Sequence, residues 1–371
     1  MTETTKYRVH AFLRTLSPMH IASPEAAWLN TDTMRMTHTK APGTTPCTAV
    51  QKMPIPAMNA DGGYVAHVPV IAANNIMGRL RRHGAAHVLD ALVARGDKVS
   101  IRTYSAITCG AVTGNPDGRD VTFDEYRETR EHPYIGLFGG GPRMMRRYVR
   151  TYNAVPVMKE TEFMFARFPH PYLDEEAHYA KVESYRLFGH WTFRRNDDLR
   201  DLVDIGRAAA SIENFGEEII KRQAQILSDR VGKEADDGGA SRNSTKTWSA
   251  FEFVVPGVIF PLVFELDVTE AQLGLFLSSL DSFSDRERLG GHVRNGFGLF
   301  ALDDVLLSMV DEGDHDEYTR IFDNSRLSTD SEIVANALSA WSDAAAAMRG
   351  ADLDRLLAAP ELDANGKKGK K

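Results

Sequence analysis

Cysteine is nearly absent: Cys47 and Cys109 are the only two in 371 residues. That excludes a disulfide framework and a cysteine-built zinc site, and it fits a reducing compartment, so the expected location is the cytoplasm. No run of about 18 apolar residues occurs, so no membrane-spanning helix is expected. The opening Met1-Thr2-Glu3-Thr4-Thr5 has no apolar signal core. Internal repeats are missing, and so are the short catalytic signatures. There is no Gly-x-Ser-x-Gly, no phosphate loop ending in Lys-Ser/Thr, no His-Glu-x-x-His and no dinucleotide fingerprint. Gly136-Leu137-Phe138-Gly139-Gly140-Gly141 has the glycines of a nucleotide loop without its lysine. Asp314-His315-Asp316 reads as solvated loop. No catalytic residue, metal ligand or cofactor is assigned.

What is present describes an ordinary globular chain of two or three domains, 43% apolar and 26% charged. Its net charge of −7 hides an asymmetry, +7 for residues 1–160 against −14 for residues 161–371. Nucleic acid needs a local basic stripe, not a basic whole. The acidic remainder suits a partner's basic face, or simply keeps the surface soluble.

Tyr7 to Leu16 alternates with strand period: Tyr7, Val9, Ala11 and Leu13 on one side, Arg8, His10, Phe12 and Arg14 on the other. Residues 22–63 are rich in Thr, Pro and Met without a clear period. Tyr64 to Ile71 reads as a strand, then a helix capped by Asn74 or Asn75 and stopped by Gly96. Val99 to Thr108 and Tyr152 to Met158 look strand-like, and 172–235 mostly helical. Phe251 to Val268 is β-rich and kinked at Pro256-Gly257. Thr269 to Gln272 resembles a capping box that opens a helix. A glycine loop and a last strand follow, then Ala-rich acidic helices over 329–358. Strand–helix–strand thus occurs twice, predicting an α+β fold: a ferredoxin-like β-α-β-β-α-β core whose open sheet is a common RNA platform.

Four segments can carry chemistry. The loop Gly290 to Gly298 holds Arg294 and Asn295. Arg143, Arg146, Arg147 and Arg150 follow the Gly-Gly-Gly-Pro turn, and planar guanidiniums grip phosphate bidentately; a solvated edge strand is the plainer reading. Arg79, Arg81 and Arg82 lie on the first helix behind Asn74 and Asn75, at an N-terminus suited to anions. Leu16 to Pro24 offers His20 and the hydroxyl of Ser23, with a hydrogen-bonded structural role as the alternative for the histidine.

In this order the segments resemble the RAMP superfamily of CRISPR-associated proteins, most closely the guide-RNA backbone subunit (Cas-seven type) of type IV complexes. The family's Leu-x-Pro-Leu-His-Ile-Gly is similar to Leu16-Ser17-Pro18-Met19-His20-Ile21-Ala22. Its Ile-Pro-Gly-Ser-Ser-Leu-Lys-Gly-x-x-Arg is similar to Val70 through Arg81, with Asn74-Asn75 for Ser-Ser and Met77 for the lysine. Its Leu-Phe-Gly is Leu137-Phe138-Gly139, and its closing glycine loop is Gly291 to Gly298.

The resemblance implies a discontinuous palm of residues 1–21, 64–158 and 251–305. It also implies a thumb-like insertion, 22–63, and a mostly helical finger insertion, 159–250. Residues 306–360 are then acidic C-terminal helices, and 361–371 a disordered basic tail. The implied RNA contacts are His20, Ser23, Asn74, Asn75, Arg79, Arg81, Arg82, Arg143, Arg146, Arg147, Arg150, Arg294 and Asn295. The implied partners are the guide crRNA, copies of the chain in a head-to-tail filament, and the large, Cas-five-like and small effector subunits. Target DNA or RNA is met through base pairing. Related subunits cut target RNA with an acid after the first motif, and Asp32 falls near that place. An endoribonuclease of the same superfamily, and a scaffold that binds only protein, are the competing readings.

Overall fold

The computed structural model describes residues 3–30, 32–59, 61–110, 122–141, 145–165, 173, 182–194, 209–211, 213–218, 220–221, 248–310 and 317–357. The chain forms two compact units. One is Met1–Ala22, Val50–Gly189 and Phe253–Lys371; the other is Ser23–Ala49 and His190–Glu252. In chain order the elements begin with β1 (Thr5–Thr15), β2 (Ala22–Asn30), β3 (Met36–Thr37), β4 (Thr44–Val50), β5 (Lys52–Asn59), β6 (Gly62–Pro69) and α1 (Ala73–Val93). Next come α2 (Ile101–Cys109), α3 (Phe123–Glu131), α4 (Pro133–Phe138), β7 (Val149–Thr151), β8 (Phe188–Arg194), β9 (Trp248–Val254) and β10 (Ile259–Val268). The chain closes with α5 (Glu270–Arg286), β11 (Phe300–Met309), β12 (Tyr318–Arg320), α6 (Glu332–Ala347) and α7 (Gly350–Leu357).

The alternation of β1 builds the first unit. Tyr7, Val9, Ala11 and Leu13 are buried, on the side where α1 and α5 pack. Strand order is β12-β11-β1-β10-β7, and the pairings are antiparallel. Taking β1, β7, β10 and β11 as first to fourth, the order is fourth-first-third-second. Helix α1 joins the first two and α5 the last two. That is the ferredoxin-like β-α-β-β-α-β arrangement. Helix α1 buries Ile76, Met77, Leu80, Ala85, Val88 and Leu92, a spacing of three and four that keeps one apolar stripe on the sheet. Helix α5 opens with a capping box between Thr269 and Gln272. Its Phe276 lies against Phe264 of β10, ring centroids 5.4 Å apart. Residues 52–69 form the β5–β6 hairpin of this same unit, Lys52 opposite Pro69. The other face of the sheet is not fully open: Phe12, Val157 and Ile259 close part of it.

The second unit has the strand order β3-β2-β4-β9-β8, with β4 and β9 parallel, Cys47 beside Ala250. Leu29, Cys47 and Ala250 form its small core. Trp191 stacks on Phe251 at 6.3 Å and stays half exposed. Parts of the two insertions expected over 22–63 and 159–250 thus belong to one unit, 23–49 with 190–252, which also takes in residues 251 and 252 of the expected palm.

Several local expectations change. Val99 to Thr108 is not a strand: α2 runs from Ile101 to Cys109 because the Ser100 hydroxyl accepts from the Thr103 N–H, and Thr103, Ala106 and Ile107 fall on one buried side. The cap of α1 is Ala72, not an asparagine; the first helical N–H, of Ala73, goes to Asn153 Oδ1 at 2.9 Å. Strand β7 ends at Thr151; beyond it Ala154 forms an isolated bridge to Ile71, and Val157 N–H donates to Ile259 O at 3.1 Å. Pro256-Gly257 is a turn between two strands. Most of the expected helical stretch 172–235 lies outside the described residues, and β8 occupies part of it. Among the described residues no helix is long and apolar enough to cross a membrane.

Candidate nucleic-acid interface

β1 ends at Thr15, and the chain turns through Ser17-Pro18 to Met19, which bridges Val254. His20 is buried, 2% exposed. The glycine loop docks along this turn. The N–H of Gly291 donates to His20 O at 2.7 Å and that of Gly298 to Pro18 O at 2.9 Å. Leu299 N–H reaches Ser17 Oγ at 2.9 Å, and Leu16 N–H returns to Leu299 O at 2.8 Å. A Cβ on Gly290 would stand 2.1 Å from His20 O, and one on Gly298 2.1 Å from Leu289 O. These glycines therefore admit the chain's own backbone, where the sequence pattern suggests a ligand. The rings of His20 and His292 meet edge-on at 5.0 Å. Burial, then the charge of His20, lowers the pKa of His292. Only the tip, Val293 to Gly296, faces solvent, and it carries Arg294 and Asn295.

The start of α1 lies close by along the backbone. Gln51 N–H donates to Ile21 O at 2.7 Å and Val70 N–H to Gln51 O at 3.1 Å, three residues before the helix. Asn74 is exposed. Asn75 Oδ1 accepts from Arg79 Nε at 3.1 Å. Arg79 also donates to Glu287 and to Arg288 O, the latter at 2.7 Å, and His83 stands 3.3 Å from the same carboxylate. Burial pushes the Glu287 pKa up, but His83, Arg79 and the Arg288 N–H outweigh it and hold it down at about 2. Arg79 is thus neutralised within the fold. Arg82 is exposed. Arg81 turns inward and donates to Phe138 O at 2.7 Å, tying α1 to the Leu137-Phe138-Gly139 turn. Arg147 is half-buried beside it; burial, then the charge of Arg81, lowers its pKa.

Arg143 lies outside the described residues. Arg146 and Arg150 are exposed, and both line a cleft of about 260 Å³ with Lys6, Arg8, Glu265 and Asp267. This cleft is at the start of β1, and the glycine loop is at its end. Lys6 and Arg8 were missed from sequence. Their signal was their place on the outward side of β1, but their neighbours on β7 and β10 are far along the chain. Ser23 belongs to the second unit, where its Oγ accepts from Glu25 N–H at 3.2 Å. Asp32 is exposed in a turn closed by Asn30, whose Oδ1 accepts from Asp32 N–H at 3.0 Å. Among the described residues no cluster of three His, Cys, Asp or Glu could hold a metal.

The first unit is therefore an α+β domain of the ferredoxin-like class, with cationic groups at both ends of its central strand. No family model matches the chain, and no curated protein matches it. Among solved structures, a chain described as "Type IV-B CRISPR Complex" is similar to it with TM-score 0.42 and 16% identity, over 81% of this chain and 90% of that one.

Proposed function

We propose that the chain is the guide-RNA-binding backbone subunit of a CRISPR-Cas effector complex, of the RAMP superfamily and type IV-like. One observation carries the reading. The segment from Leu16 to Ala22, the glycine loop and the start of α1, three of the four sequence motifs, meet at one end of a ferredoxin-like sheet. They do so through the hydrogen bonds of His20, Pro18, Ile21 and Gln51. Exposed there are Arg294, Asn295 and Asn74, groups suited to the phosphates and edges of RNA. Arg81 holds the fourth motif to α1. Copies of the chain line up on one guide, with basic and acidic portions packed head to tail as a heterologous contact that propagates. Phosphate contacts position the guide, and base pairing reads the target. The thumb-like and finger parts come from 23–49 and 190–252, which form one unit, while residues 52–63 stay with the palm. The partners are the guide, the other effector subunits and target nucleic acid, in the cytoplasm, with no cofactor.

The protein purified from its source should carry RNA, seen as a raised ratio of absorbance at 260 to 280 nm. Affinity for a long RNA should fall steeply with salt, by about 0.7 in log–log slope per phosphate held. Arg294→Ala should weaken binding severalfold and reduce that slope by about one contact. Protein that stays free of RNA and monomeric on a long RNA would overturn the reading.

A further inference from the structure

The cleft at the start of β1 lies away from the glycine loop. From Lys6 to Leu16 the strand advances ten residues, roughly 33 Å, so no single nucleotide touches both. Cross-strand register places Glu265 opposite both Arg8 and Arg150, and Asp267 opposite Lys6. Each carboxylate has a further partner. Glu265 Oε2 accepts from the Tyr152 hydroxyl at 2.9 Å, and Asp267 stands 3.2 Å from the Arg130 guanidinium. Two shared acids thus face four cations, Lys6, Arg8, Arg146 and Arg150, so basic side chains outnumber acidic ones on the lining. Tyr148 lines the cleft; the Arg130 guanidinium lies 3.6 Å over its ring, with that of Arg146 at 5.2 Å.

We propose that this cleft is a second nucleic-acid subsite, which holds a single-stranded stretch by its phosphates, separately from the stretch at the glycine loop. Three of the four cations are arginines, whose forks match phosphate oxygens bidentately. Lys6 and Arg8 repeat along β1 at about 6.6 Å, close to the step between phosphates of an extended strand. The aromatic Tyr148 on the lining favours a nucleobase over a peptide side chain. The inference shares with the proposed function only the class of ligand.

The test uses the full chain and a fluorescein-labelled oligouridine, with binding followed by anisotropy across a salt series. Lys6→Gln/Arg150→Gln should lower affinity about tenfold and flatten the salt slope by roughly 1 to 2. In the unaltered protein the oligonucleotide should shield Lys6 from acetylation, read by mass spectrometry, and leave the exposed Lys98 reactive. Unchanged slope in the double variant together with unshielded Lys6 overturns the subsite. Shielding by polyglutamate and not by oligouridine overturns it in favour of an acidic protein segment. Equal shielding by uridine monophosphate overturns the strand in favour of a free nucleotide. If Arg294→Ala binds normally and the double variant does not, the glycine-loop reading falls and the cleft stands; the converse result reverses the two.

Discussion

Arg79 and Arg82 stand three residues apart on one helix and meet different fates. Arg79 is spent on Glu287; Arg82 faces water. Sequence shows two equal cations, because the carboxylate that separates them lies about two hundred residues later. The Glu287 contact has a pH signature. Its carboxyl is held at about 2, below its ordinary 4.5. A depressed carboxylate contributes stability that is fully present above about pH 4.5 and is lost as pH falls through 2. The shift corresponds to about 3 kcal/mol. Denaturant unfolding of Glu287→Gln should therefore show lower stability at neutral pH and a flatter loss between pH 4.5 and 2 than the unaltered protein. Parallel curves for the two proteins would refute this account.

At the level of elements, what was legible depended on where the stabilising partner lies. The alternation in β1 and the capping box at Thr269 are local patterns, and both are seen where expected. α2 was misread because Val99, Ile101, Thr103, Ile107 and Thr108 are β-branched. The spacing of three and four among the buried Thr103, Ala106 and Ile107, with Ser100 as cap, decides for helix. Ser100→Ala should cost about 1 kcal/mol in urea unfolding; no loss would mean that the Ser100 N–H bond to Asp354, at 2.9 Å, holds this end alone. The candidate site was half legible. The four motifs were seen as separate strings, and the structure adds how three of them interlock. The cleft was not visible, since Lys6, Arg8, Arg146 and Arg150 come together only across strand pairs. The glycines of the 290–298 loop were readable as special backbone, but not as serving the chain's own carbonyls.

At the scale of the whole molecule, the second unit draws on two stretches about 140 residues apart in sequence, which explains why each looked like an insertion of its own. The first unit is more extreme. Its central strand pairs with β10 and β11, Thr5 opposite Val268 and Tyr7 opposite Met309. A ribosome adding about 5 to 20 residues per second reaches those partners roughly 13 to 60 seconds after making β1. Through that interval β1 has both edges bare, the condition under which strands pair with the wrong chain. A chain ended at residue 258 should be made in insoluble form, and supplying 259–371 as a separate fragment during synthesis should restore solubility. Soluble, monomeric 1–258 would show that β1 can be sheltered locally. The strand with a cationic site near each end is thus the earliest made of the sheet and among the last to be completed. Both ends of β1 are framed only once β10 and β11 have been made.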